Sequence, residues 1–327
     1  MRKTKIEWCD ATWNPITGCM HGCRYCYAMD MAKRFSGDVR ENLQNAEEYL
    51  NGMYILREPF YDASGKHVAY PYGFAPTLHR YRLEEPAKLK GRVIFVGSMC
   101  DLFGEWVPDE WIVKVFDVCR EASQHNYLFL TKNPDTYTRL WCSCVLPTDG
   151  NFWYGTSVTQ DTDWGRMTDF AVGYNGFISF EPLLEDLSFP RSLNWDRIRW
   201  FIIGAETGNH SGKVAVKREW VETITRFADE RMIPVFMKDS LLTIVGEENM
   251  RREFPEGLRI ERSSVPMRGT CMSCGKAMLK KHMITINGKK GRGGKSLTIG
   301  QMCPDCIKTF CTGAGFEIPE EWRTSDG

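Results

Sequence analysis

The 327 residues hold no apolar run that approaches the length needed to span a bilayer, and the opening Met1-Arg-Lys-Thr-Lys-Ile-Glu-Trp8 lacks the apolar stretch of a secretory signal. No membrane association is therefore expected, and the chain reads as cytoplasmic. Net charge is missing as well. The 42 Lys and Arg balance 42 Asp and Glu, so whole-molecule electrostatics points to no particular partner. Nor is there the disulfide framework of a small secreted domain. The 13 cysteines gather in tight clusters in a chain without an export signal, which argues for metal ligation in a reducing compartment.

What is present suits one large α/β domain with a small appendage. Short apolar runs rich in β-branched and aromatic residues recur at Val93 to Val96, Tyr127 to Leu130, Phe152 to Tyr154, Phe177 to Phe180, Trp200 to Ile203 and Ile233 to Phe236. Helix-length spacers separate them, with helical patterns at Asp109 to Ala122 and Arg218 to Arg231. This repeated strand-then-helix order predicts a partial or full (β/α) barrel, with Ala11 to Ile16 as the first strand; a doubly wound open sheet is the alternative. The connection Ser36 to Gly91 reads as a lid-like insertion with a helix near Asn42 to Met53 and irregular chain after it. Beyond Arg262 the composition shifts to Gly, Lys and paired cysteines, so the predicted domains are 1–262 and 263–327.

Polar residues follow nearly every apolar run: Ser98 and Asp101, Thr131 and Lys132, Thr156 and Ser157, Glu181, Glu206, then Lys238 and Asp239. In a parallel barrel they would ring the C-terminal mouth, where such folds assemble active sites. The competing reading is that these strand ends simply meet solvent, or that their charges pair with one another.

Cys19-Met-His-Gly-Cys23-Arg-Tyr-Cys26 places three thiols within eight residues, enough for one loop to wrap a cubane cluster while leaving one iron open. A structural zinc site is the alternative, with His21 or Cys9 as fourth ligand. The C-x3-C-x2-C spacing, with Tyr25 before the third cysteine, resembles that of the radical S-adenosylmethionine (SAM) superfamily. The resemblance implies a 4Fe-4S cluster on Cys19, Cys23 and Cys26, SAM chelated to the open iron, its cleavage to methionine and a 5'-deoxyadenosyl radical, and an electron donor such as flavodoxin or ferredoxin. It also implies that Gly97, Ser98 and Asp101 neighbour the methionyl end of SAM, that Ser157 meets the ribose, and that Glu181, Glu206, Lys132 and Lys238 bind substrate or manage a proton.

A closer similarity covers roughly residues 3 to 240, to a phage-associated family with a three-cysteine motif. It rests on Thr4-Lys-Ile-Glu-Trp8, Ala11-Thr-Trp-Asn-Pro15, Ser98-Met-Cys-Asp-Leu-Phe103, Leu130-Thr-Lys-Asn-Pro134, Ser179-Phe-Glu-Pro-Leu-Leu184 and Gly204-Ala-Glu-Thr-Gly208. Two features depart from that pattern: the compact first cysteine spacing, and Gly204-Ala-Glu-Thr207 where Gly-Gly-Glu-Ser is usual. The phage relationship implies a host-cytoplasm location and a radical SAM isomerase of thymidine hypermodification, rearranging an amino-acid adduct on the thymine methyl.

In the tail, Cys271-Met-Ser-Cys274 and Cys303-Pro-Asp-Cys306 form the four-thiolate signature of a zinc ribbon, with Zn2+ in place of a core; a second iron-sulfur cluster is the alternative. Between Arg268 and Lys308 nine Lys or Arg face Asp305 alone, so the rest of the chain carries a net negative charge of eight. Lys280, Lys281, Lys289, Lys290, Arg292 and Lys295 on the intervening hairpin are placed to track phosphates, which makes DNA the expected partner, unless this is only a solvated surface. Trp106 and Trp153 are the candidate platforms for an extruded base. Cys100, Cys119, Cys142 and Cys144 read as core or incidental thiols. Two other readings remain at this stage: a radical enzyme acting on a peptide or metabolite, and a non-catalytic zinc-bound nucleic-acid-binding protein.

Overall fold

A computed structural model describes residues 2–44, 46–167, 175–207 and 214–258, and in the tail the strand residues 268–270, 277–279, 284–289 and 296–302. The chain divides into two compact units, Met1–Arg262 and Ser263–Gly327.

In chain order the first unit comprises β1 (Arg2–Lys3), β2 (Ala11–Trp13), β3 (Ile16–Thr17), α1 (Tyr27–Arg34), α2 (Val39–Leu43), β4 (Glu48–Leu50), β5 (Met53–Leu56), β6 (Thr77–His79), β7 (Val93–Val96), α3 (Asp109–Glu121), β8 (Asn126–Thr131), α4 (Asp135–Cys142), β9 (Phe152–Ser157), β10 (Asn175–Phe180), β11 (Ile198–Ile203), α5 (Arg218–Glu230), β12 (Val235–Met237) and α6 (Leu242–Val245). The main sheet has eight strands in the order β1-β2-β7-β8-β9-β10-β11-β12. Only β1 is antiparallel; the seven strands from β2 to β12 run parallel and curl into a half-barrel. Among the described residues β12 pairs with neither β1 nor β2, so the sheet stays open.

Helices α3, α4 and α5 all cover one face. Trp111, Ile112, Val115, Tyr137, Leu140, Val221 and Ile224 pack into the larger core against alternate strand residues such as Ile94, Phe129, Tyr154, Ile178 and Phe201. A doubly wound sheet would carry helices on both faces, and this one does not among the described residues. The opposite face holds a second, aromatic cluster built from Trp8, Phe95, Leu128, Trp153, Phe177, Trp200 and Phe236. Trp8 contacts the rings of Phe95, Phe177 and Trp200, so the chain leading into β2 fills the hollow of the curled sheet.

The insertion differs from its sequence expectation. Instead of a helix over 42–53, α2 ends at Leu43 and β4 and β5 form a hairpin, joined to β6 and β3 in a four-stranded sheet ordered β3-β6-β5-β4. The cause is the Asn51-Gly52 pair, with φ of 45° and 76°, the left-handed conformations that a tight hairpin turn demands. The first strand is also interrupted: Pro15 follows β2, and Ile16–Thr17 leave the main sheet to pair with β6. Among the described residues no helix is long and apolar enough to cross a membrane.

In the second unit β13 (Arg268–Thr270) pairs antiparallel with β14 (Ala277–Leu279), and β15 (Ile284–Lys289) with β16 (Ser296–Met302). Lys289 ends β15. Cys271, Cys274, Cys303 and Cys306, with Lys280, Lys281, Lys290, Arg292 and Lys295, lie outside the described residues.

Candidate active site

Side chains alternate across a strand. On the helix-free face the alternation runs Phe95 to Gly97, Leu128 to Leu130 to Lys132, Trp153 to Ser157, Phe177 to Ser179 to Glu181, and Phe236 to Lys238. Each series begins in the aromatic cluster and ends in a small or polar group at the carboxyl end of its strand. Together those ends border a cavity of about 690 Å³, a volume in the range of small-molecule sites. Cys19, Cys23 and Cys26 line the same cavity, as do Tyr25, Gly97, Ser98, Asp101, Lys132, Ser157, Glu181, Glu206 and Lys238. The three motif cysteines, Tyr25 and the strand-end residues singled out in the sequence thus face one space.

Gly18 sets where the cysteine loop begins. Its φ is 89°, its N–H donates to Met99 O at 2.9 Å, and a Cβ there would sit 2.2 Å from Ala75 O, so no other residue fits. The loop ends at Cys26, the N-cap of α1, whose Sγ accepts the Met29 N–H at 3.4 Å. Burial pushes the Cys19 thiol up to about 12, and raises that of Cys23 despite Lys132 nearby. A metal bound here would have to displace those protons.

Asp101 clasps the loop to the barrel. Its buried carboxylate accepts Thr131 Oγ1 at 2.7 Å and the backbone N–H groups of Phe103 and Lys132 at 3.0 and 2.9 Å, and lies 2.7 Å from His21 Nε2. Burial alone would raise its pKa, but the His21, Lys132 and Thr131 hydrogen bonds overcome that and hold it below the ordinary carboxylate value. The carboxylate's acceptor capacity is thus largely spent on the protein. Asn14, just after β2, fixes the neighbouring turn. Its Oδ1 accepts the Met99 N–H at 3.0 Å, and its side chain exchanges hydrogen bonds with the Ser98 hydroxyl. Asn14 was not singled out from sequence, although it lies in the Ala11-Thr-Trp-Asn-Pro15 segment. Tyr27 was also missed: its ring is half exposed, while its enclosed hydroxyl donates to Ser98 O at 2.7 Å.

Across the cavity, Lys238 Nζ and Glu181 Oε1 form an ion pair. Burial by itself lowers the lysine pKa, but the adjacent carboxylate more than offsets this and leaves it above its ordinary value. Gly204 makes room for the pair: a Cβ there would come within 3.0 Å of Lys238 Cδ and 3.2 Å of Glu181. Glu206 accepts the Val214 N–H at 3.2 Å and still faces the cavity, and the Lys132 ammonium sits 5.5 Å from the Tyr25 ring centroid.

Among the described residues no three His, Cys, Asp or Glu side chains converge as a single metal ion would require. The donor set, three soft thiols on one wall of a larger cavity, fits a thiolate-bound cluster. Of the two alternative fourth zinc ligands, His21 borders the cavity with its Nε2 against Asp101, whereas Cys9 is buried in the aromatic cluster. The base platforms are corrected as well. Trp153 is 3% exposed in that cluster, and Trp106 packs on the main core and edge-on to His21; neither borders the cavity. Of the insertion's polar residues, Tyr70 lines the cavity, whereas His79 is sealed against Thr17 at 2.8 Å and Arg82 donates to Asn14 O at 3.1 Å. Cys100 borders the cavity, Cys119 is in the core, and Cys142 and Cys144 are exposed.

A family model described as a protein of unknown function (DUF5131) matches residues 3–243. No curated protein and no solved structure matches the chain.

Proposed function

The chain belongs to the DUF5131 family, and from that premise we propose that it is a radical SAM enzyme that abstracts hydrogen from a nucleic-acid substrate. The observation that carries the reading is the sharing of one cavity by the C-x3-C-x2-C thiols and the polar ends of parallel strands β7 to β12. Cys19, Cys23 and Cys26 would hold a 4Fe-4S cluster, with SAM beside it. When bound, the pair supplies one-electron chemistry strong enough to take a hydrogen atom from carbon.

The remaining work falls to this chain's own groups. The Gly97–Ser98 turn, pinned by Asn14, presents backbone polar groups where the methionyl end would lie, and Ser157 offers a hydroxyl to the ribose. Asp101 holds the loop against β8 and keeps the thiols in place. Lys132 and Glu206 face the cavity and can bind polar substrate groups. The Glu181–Lys238 pair can orient a substrate carbonyl or carboxylate and retain a proton at Lys238 Nζ. The aromatic cluster beneath keeps water from entering through the floor.

The proposed substrate is DNA, recruited by the basic tail and its zinc-binding cysteines, with the target base taken out of the stack to reach the cavity. Isomerisation of an amino-acid adduct on thymine is the reaction the family resemblance favours, with a flavodoxin or ferredoxin as electron donor in a host cytoplasm. The test is iron, sulfide and zinc content together with the electron paramagnetic resonance spectrum of anaerobic, reduced protein, with and without SAM. About four irons and one zinc per chain, and a signal that SAM perturbs, are expected. Zinc alone after anaerobic reconstitution would sink the radical mechanism.

A further inference from the structure

Among the described residues of the first unit ten large apolar side chains are exposed, and four of them lie close together in sequence. Met20, Tyr27, Met31 and Phe35 are 48%, 51%, 41% and 45% exposed, and all follow within 16 residues of Cys19. On α1 and its C-cap, Tyr27, Met31, Arg34 and Phe35 recur at i, i+4, i+7 and i+8, so they share one side of the helix. Tyr27 and Met31 border the cavity, and Phe35 lies one turn beyond Met31, so the stripe from Tyr27 to Phe35 runs about 12 Å along the axis. That length spans roughly three to four bases at 3.4 Å each.

We propose that this stripe, Tyr27, Met31 and Phe35 with Arg24 and Arg34, is a track for single-stranded nucleic acid that leads into the cavity. The proposal deepens the reading above and rests on its assignment of nucleic acid as the substrate class. Three observations select this occupant over a protein. The Arg34 guanidinium lies 5.4 Å from the Phe35 ring centroid, and an arginine beside an exposed aromatic face suits a stacked base with its phosphate. Residues 20–35 carry Arg24, Lys33 and Arg34 against Asp30 alone, in a chain whose remainder outside the tail is acidic, so the local charge complements a polyanion. The Tyr27 ring is held by its hydroxyl's bond to Ser98 O, and a fixed ring stacks without first losing conformational freedom. An extruded base would reach the cavity along the stripe while its neighbours stay stacked on it, the role that Trp106 and Trp153 cannot fill.

The test uses the full chain with Lys289, Lys290 and Arg292 replaced by Ala, so that the tail does not mask the helix, and a labelled oligothymidylate of about 15 nucleotides. Binding is read by fluorescence anisotropy across a salt series. Phe35→Ala should weaken binding on the order of tenfold at every salt concentration, the loss of one stacked base. Arg34→Gln should weaken it mainly at low salt and reduce the salt slope by about one. If both variants bind like the parent, the track is wrong. If Phe35→Ala instead abolishes self-association in sedimentation, or capture of an acidic electron-donor protein, with oligonucleotide binding unchanged, the stripe belongs to that partner and the proposal also fails. Iron content and the SAM-dependent spectrum, measured on the same preparations, separate the two readings. An intact spectrum with unaltered oligonucleotide binding removes only the track, and Phe35-dependent binding without iron removes only the radical chemistry.

Discussion

Replacing Lys238 by Met leaves the Glu181 carboxylate in the cavity without its partner. Side-chain exposures of 15% and 24% put this pair between the surface and the interior. Unit charges 4 Å apart attract by about 4 kcal/mol at an effective dielectric constant of 20. Desolvation takes back part of that: exposed pairs keep about 0.2–1 kcal/mol, while breaking a buried pair costs about 3–5 kcal/mol. For this geometry a coupling energy of about 2 kcal/mol is expected. The assay is a double-mutant cycle of Lys238→Met, Glu181→Gln and both together, by urea unfolding under anaerobic conditions. Each single change should cost about 2–3 kcal/mol, and the double change about 2–4 kcal/mol, short of the sum by the coupling energy. The pH dependence has a definite sign. The folded lysine pKa is raised above 10.5, so the pair's contribution is full below that value and is lost only as pH rises through the folded pKa. Coupling should therefore be unchanged between pH 7 and 9. Additivity within about 0.5 kcal/mol would refute the reasoning and leave both side chains free for substrate.

Four further outcomes are expected. Gly18→Ala places a methyl 2.2 Å from Ala75 O at a positive φ, and should cost about 3 kcal/mol or more in thermal stability while lowering metal content measured after reconstitution. Asp101→Asn weakens the clasp on His21 and should cost about 3 kcal/mol in urea unfolding, with faster loss of metal to a chelator. Burial holds the His79 imidazole well below its ordinary 6.5, so its contribution is present above 6.5 and is lost as pH falls through the folded value. Unfolding free energy should accordingly fall on acidification, and His79→Gln should flatten the profile. Replacing Lys289, Lys290 and Arg292 together by Ala should lower the salt slope of DNA binding by up to about three.

Sequence pattern located the strands well where burial is continuous. Val93 to Val96 matches β7 residue for residue, and the others differ by one to two residues at an end, except β9, which runs on from the expected Tyr154 to Ser157, and the first strand, which stops at Trp13 rather than Ile16. That extension is chemically reasonable, because Gly155, Thr156 and Ser157 carry a weak apolar signal yet pair in register with β10. The polar strand ends were legible for the same reason: parallel strands share a direction, so residues that follow them share a face. Orientation within the mouth was not legible. Asp101 and Lys132 looked alike as cavity-facing ionisable groups, but the first is saturated by protein donors and the second is not. The hairpin at Asn51-Gly52 carried its own turn signal, which the surrounding helical residues obscured. Tyr27 was overlooked because a tyrosine after a cysteine motif reads as ordinary helix, and only the fold shows its ring bare and its hydroxyl held.

The Trp8 crossbeam has a consequence for the order in which this molecule is made. Glu7, beside it, accepts the Asp239 N–H at 2.8 Å and the Arg252 guanidinium at 2.6 Å, bonds that join residues 232 and 245 positions apart. The cysteine loop leaves the ribosome early, yet part of the floor beneath it (Phe177, Trp200 and Phe236) and the walls formed by Glu181 and Lys238 are supplied by the last third of the first unit. Contacts of such long range form slowly and late. The loop therefore waits, open to solvent, until the strands that bury it arrive. Any metal delivered during synthesis would meet thiols that are still fully accessible; delivered afterward, it would meet thiols half-buried along the cavity.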